Sequence, residues 1–222
     1  MKKKLAIIHT TPVTIEPLKE LALNLIDDCE IMNFMDDTIL PQLMNNGGDI
    51  EEVAHRWANY ARTAEQLGAD CILSGCSSVG GLVPMVQPQV NIPIIRIDEA
   101  MAEYAVHSAE RIGVAATMET TLKPTIDLLK QKAAENRRTV QIESILVASA
   151  YEKLMANDKQ GHDHDLSAAL RNLVKKTDLV VLAQASMARV IATFSPEEQR
   201  PFVTSPQLGM ECVKKTFQTT TR

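Results

Sequence analysis

The chain of 222 residues carries 23 basic and 28 acidic side chains, interspersed, for a net charge of −5. Its one basic cluster, Lys2 to Lys4, reads as the solubilising start of a strand, so nucleic acid is disfavoured as a partner. Four cysteines at 29, 71, 76 and 212 show no CxxC pair and no zinc-type spacing, nothing resembles a signal peptide or a spanning segment, and a cytoplasmic protein with reduced thiols and no membrane partner is expected.

Taken in order, "LAIIHTTP" reads as a buried strand breaking at Thr10-Thr11-Pro12, before a helix that starts near Ile15 or Glu16. "CEIMNFMD" is a second strand. Residues 49–67 place Ile50, Val53, Ala54, Trp57, Ala61, Ala64 and Leu67 at helical spacing, capped by Asp49 and stopped by Gly68. "ADCILSGC" is then a third strand and "NIPIIRID" a fourth. "EAMAEYAVHSAE" reads as a helix, "RIGVAAT" a strand, "TTLKPTIDLLKQKAAEN" a helix, "VQIESILV" a strand, "HDLSAALRNLVKK" a helix and "TDLVVLAQ" a strand. Short apolar strands alternating with amphipathic helices predict an α/β fold with parallel sheets.

Two passages look alike. "LGADCILSGCSS" and "KKTDLVVLAQAS" each run from a helix end through an acidic residue and an apolar strand into small polar residues. Their separation by roughly half the chain favours two similar lobes, residues 1–97 with 207–222 and residues 98–206, with ligand binding at the strand carboxyl ends.

Those ends supply "HTTP" from His9, "GCSSVGG" from Gly75, "ATMETT" from Ala116 and "AQASM" from Ala183. None is a phosphate-cradling GxxxxGK[ST] or a dinucleotide GxGxxG, so no nucleotide cofactor is expected. Cys76, ahead of a helix, would feel the positive end of its dipole and nearby N–H groups, which favour thiolate. The same position also suits a small residue filling a tight turn, and local sequence leaves the two readings open. His9 is read either as an assistant to Cys76 or as a polar turn residue. "GHDHD" at 161–165 is read as a loop with acidic residues ahead of a helix, and no metal site is expected. Asp36, Asp37, Asp98 and Glu99 are read as capping groups.

"LAIIHTTP", "ADCILSGCSSVGGLVP", "IPIIRIDEAMAEYAV", "RIGVAATMETTL" and "DLVVLAQASMARV", in this order over nearly the whole chain, resemble the aspartate/glutamate/hydantoin racemase superfamily. The resemblance implies two Rossmann-like lobes related by a pseudo-two-fold, with the active site in the cleft between them. It implies cofactor-independent proton transfer at the carbon next to a carboxylate, by two cysteines on opposite sides of a small carboxylic acid substrate. It also allows a homodimer or higher homo-oligomer.

The first of those cysteines matches Cys76, and the position matching the second is Gln184. An amide cannot gain and lose a proton near neutral pH, and Ser186 has no evident base. Thr10, Thr11, Ser77, Ser78 and Thr117 are the expected carboxylate-binding groups, with Gln184, Ala185 and Ser186 lining the other wall. Met85, Met118, Tyr151 and Met187 are candidates for specificity. The expected function is therefore racemase-type proton transfer with one cysteine missing. The alternatives are a single-cysteine decarboxylase or isomerase, and an inactive protein that binds a small carboxylate.

Overall fold

A computed structural model describes residues 2–219. The chain divides into two compact units, one made of the residues up to Ala100 together with those from Pro206 onward, the other of Met101–Ser205.

In the first unit the elements run β1 (Lys3–His9), α1 (Ile15–Leu25), β2 (Cys29–Met35), α2 (Ile39–Asn45), α3 (Glu51–Gln66), β3 (Cys71–Ser74), α4 (Leu82–Val86) and β4 (Ile94–Arg96). The helix α5 (Glu99–Ser108) leads into the second unit, which continues β5 (Arg111–Ala116), α6 (Glu119–Glu135), β6 (Gln141–Leu146), α7 (Ala148–Met155), α8 (Lys159–Val174), β7 (Leu179–Leu182), α9 (Ala188–Ile191), α10 (Pro196–Gln199) and β8 (Phe202–Thr204). The last helix, α11 (Ser205–Thr219), brings the chain back to the first unit.

Each unit holds a four-stranded, wholly parallel sheet, ordered β2-β1-β3-β4 in the first and β6-β5-β7-β8 in the second. The two orders are the same when strands are counted from the start of each unit. All-parallel sheets need helices on both faces, and their central strands read as unbroken apolar runs because both sides are buried. β1 shows this directly. Ala6 and Ile8 pack with Trp57, Val53 and Ala61 of α3, while Leu5 and Ile7 pack with Leu18 and Ala22 of α1 and with Met210, Val213 and Phe217 of α11. Alternate side chains of a strand point to opposite faces, so one apolar run serves two cores. In the second unit Ala115, Val180 and Leu182 join Leu166, Leu170 and Leu173 of α8.

The predicted helix over 49–67 is α3. The Asp49 carboxylate accepts the Glu51 N–H at 3.0 Å, and Gly68 takes φ +82°, the left-handed turn that stops a helix. The loop expected at 161–165 is instead part of α8, which starts earlier, where Asp158 accepts the Gly161 N–H at 2.8 Å. Asp98, ahead of α5, is paired with Arg96. Both its oxygens are held by Arg96, at 3.0 Å from Nε and 3.0 Å from Nη2. No helix among the described residues is long and apolar enough to cross a membrane.

Candidate active site

In each sheet the two central strands end in polar residues, and the pairing register places those residues equivalently. Ile8 pairs with Ser74, so Thr10 and Cys76 lie two residues further along neighbouring strands. Ala115 pairs with Leu182, which gives Thr117 and Gln184 the same relation in the other unit. Cys76 is extended (φ −139°, ψ 124°) and opens a single 3-10 turn, Ser77–Val79. Gln184 is extended (φ −120°, ψ 131°) and opens the corresponding turn, Ala185–Met187. The two units therefore repeat one local construction, a threonine after the first strand facing the residue that opens a turn after the third.

At the first turn the Cys76 thiol has polar neighbours. The Thr10 hydroxyl, the Ser78 N–H, the Ser78 hydroxyl and the Val79 N–H all pull the Cys76 thiol pKa down. Burial outweighs them and leaves it above that of a free thiol. One of the two readings of Cys76 drew thiolate from a helix dipole, but the segment that follows is one 3-10 turn and the five-residue α4. So short an element carries little dipole. The Thr10 hydroxyl is buried and makes no well-aligned hydrogen bond, lying only close enough to the sulfur to act on it.

The buried thiols of β2 and β3 are bonded within their own strands. Cys71 donates to the Ile72 carbonyl at 3.7 Å and Cys29 to the Glu30 carbonyl at 3.8 Å. Burial pushes the Cys71 thiol up to about 12. Cys29 opens β2, at the end away from the strand carboxyl termini, and burial raises both its thiol and that of Cys212. Cys76 alone of the four sits at a strand carboxyl end.

His9 is fully buried, and both its nitrogens are engaged within the first unit. Nδ1 is 2.9 Å from the Thr14 hydroxyl and Nε2 is 3.0 Å from Asn33 Oδ1. Burial lowers its pKa, against the bond to Asn33, which favours the charged ring. Since the Thr14 hydroxyl also donates to the Thr11 carbonyl at 3.1 Å, His9 braces the Thr11–Thr14 turn. Of the other residues expected here, Ser77 and Ser78 are buried beside Cys76, and Thr11 is partly exposed.

At the second turn Gln184 Oε1 accepts the Thr117 N–H at 2.7 Å and the Thr117 hydroxyl at 3.0 Å. Thr117 is buried, Ala185 is partly exposed and Ser186 is exposed. Met187, a candidate for specificity, is 1% exposed and belongs to the α8 core. Met85 is exposed.

The histidines and aspartates of α8 are committed to protein partners. Asp163 takes both Arg189 Nη atoms at 2.7 Å, and Asp165 takes Ser149 Oγ and Lys153 Nζ at 2.8 Å. Among the described residues no group of three or more His, Cys, Asp or Glu side chains is set to hold a metal. The sequence reading missed the Arg96–Asp98 pair beside the Cys76 turn. Its signal was a charged residue ending an apolar strand with an opposite charge two positions on, a spacing that puts both side chains on one side of an extended segment.

The family model described as Asp/Glu/Hydantoin racemase matches residues 8–213. No curated protein sequence matches. Among solved structures, glutamate racemase from Bacillus anthracis is similar with a TM-score of 0.76 and 14% identity, covering 100% of this chain and 84% of that one. Aspartate racemase from Picrophilus torridus is similar with a TM-score of 0.75 and 14% identity, covering 96% and 94%. Allantoin racemase from Klebsiella pneumoniae is similar with a TM-score of 0.68 and 16% identity, covering 98% and 88%.

Proposed function

Because the chain belongs to the Asp/Glu/hydantoin racemase family, we propose that it is an isomerase-type enzyme moving a proton at the carbon beside the carboxylate of a small acid, with Cys76 handling that proton. The observation that carries this reading is the setting of Cys76, the one thiol of the four at a strand carboxyl end: Thr10, Ser78 and Val79 all act on it to favour thiolate, whereas Cys71 and Cys29 each donate to a carbonyl of their own strand. Donors aimed at a sulfur stabilise the thiolate that proton transfer leaves behind. At rest the raised thiol keeps its proton, which is the state a general acid needs. Thr11 and Ser77 belong to the same two turns and are assigned to the substrate carboxylate, whose charge grows as an enediolate forms.

Racemization needs a second group able to exchange a proton. Gln184 occupies the position equivalent to Cys76 in the second unit, and its amide can only hydrogen-bond. This favours a second reading, in which the reaction is one-sided. A bond to the carbon breaks, leaving its electron pair as the enediolate, and the Cys76 S–H supplies the proton. Decarboxylation fits that scheme, the bond to the departing carboxylate breaking to release CO2.

The test is solvent deuterium incorporation over a panel of amino acids, hydroxy acids and substituted malonates. Deuterium is expected at the carbon beside the carboxylate with the wild-type protein, and none with Cys76→Ser. Absence of exchange and turnover across the panel would leave a protein that only binds its ligand.

A further inference from the structure

Thr117 offers a backbone N–H and a hydroxyl side by side at the carboxyl end of β5, a pair suited to one oxygen of a carboxylate. In this chain that oxygen is supplied internally, by the Gln184 side chain, at 2.7 and 3.0 Å. The orientation of the amide is fixed by chemistry. A backbone N–H can only donate, so the atom facing it must be the amide oxygen and not the NH2. Gln184 Nε2 has no hydrogen-bond partner among the described residues and is not buried from solvent.

We propose that Gln184 is a specificity-determining residue that closes the Thr117 donor pair to ligand carboxylates and presents its own amide N–H groups instead. A ligand group meeting this turn is then an acceptor oxygen held by a neutral donor. The hydrogen bonds at Cys76 and Gln184 thus make the two turns unlike in function although they are alike in backbone. One handles a proton; the other is filled from within and only orients. This rests on the reading of the strand carboxyl ends as the ligand site, but it is tested without turnover.

The probe is acetate, followed through the Thr117 amide signal of the 15N-threonine-labelled full-length chain. In the wild type that signal is expected to stay put as acetate is added and to exchange slowly with deuterium. In Gln184→Ala it is expected to move saturably with acetate and to exchange on the order of tenfold faster, the loss of one such hydrogen bond. Gln184→Glu keeps the acceptor oxygens and is expected to behave as the wild type. A saturable acetate shift of the wild-type Thr117 amide overturns the proposal without recourse to any variant. So does a folded Gln184→Ala protein whose Thr117 amide ignores acetate. Failure of the deuterium-incorporation test at Cys76 would leave these signals unchanged, so the two readings fall separately.

Discussion

Gly80 lies directly against the Arg96 guanidinium: a Cβ added to residue 80 would stand 2.6 Å from the central carbon of that group. Gly80 closes the turn opened by Cys76, its N–H bonded to the Ser77 carbonyl at 3.1 Å. Arg96 cannot retreat easily, because Asp98, whose side chain is 1% exposed, holds it through two bonds. Gly80→Ala is therefore expected to cost about 1–3 kcal/mol by overpacking, read from urea denaturation, and to slow any Cys76-dependent reaction by displacing the turn. An alanine variant as stable and as active as the wild type would show that the turn and the guanidinium are not coupled.

The Cys76 thiol should titrate above a free cysteine, since burial exceeds the help of its donors. Iodoacetamide alkylation followed across pH by mass spectrometry of the Cys76 peptide measures this. Thr10→Val and Ser78→Ala each remove a donor that favours thiolate, so each should move the midpoint further up. A downward movement in either variant would contradict the assigned geometry.

Cys71 gives a pH dependence of stability with a definite sign. Its folded thiol is raised from 9.0 to about 12. Below pH 9 both folded and unfolded thiols are protonated and the contribution is complete. As pH rises from 9 toward 12 the unfolded chain ionises first, and stability falls by up to about 1.4 kcal/mol per unit. Cys71→Ala should be less stable near neutrality, through its cavity, yet lose stability less steeply above pH 9. Equal alkaline slopes in urea titrations would remove Cys71 as the source.

The α8 carboxylates should be indifferent to metal. Asp165 is held down to about 2 by Lys153, Ser149 and His164, and Arg189 and His162 hold Asp163 below its usual range. Their contribution is present above the ordinary carboxylate pKa and disappears as pH falls toward 2. Neither EDTA nor added Zn²⁺ should change the melting temperature at pH 7. A zinc-dependent rise abolished by His164→Ala would mean that the ion pairs yield to a metal.

The α/β alternation could be read from sequence because the central strands are apolar on both faces and the long helices carry a clear stripe, as in α3. The short helices α2, α7, α9 and α10 and the three-residue β8 escaped, since a turn or two of helix has too few residues to show a period. Gln184 could be identified as a departure from the resemblance, but its grip on Thr117 could not, because a contact between residues 67 apart leaves no mark on either segment. One of the two readings of Cys76 rested on a helix dipole. Local sequence suggested a helix N-terminus after Cys76, whereas the degree of burial that raises the thiol depends on distant packing. His9 had two readings in the sequence, and Asn33, on a neighbouring strand, helped decide between them.

The return of α11 to the first unit has a consequence for how the chain folds. Met210, Val213 and Phe217 complete the layer begun by Leu18 and Ala22 against Leu5 and Ile7, so the cover on one face of the sheet begun by the third residue is finished only by residues past 205. During synthesis the Met101–Ser205 unit is complete before that cover exists. The second unit can fold first, while the first waits with an apolar face open to chaperones and to other nascent chains. A chain cut before α11 would therefore leave its cover incomplete on the first unit rather than on the second.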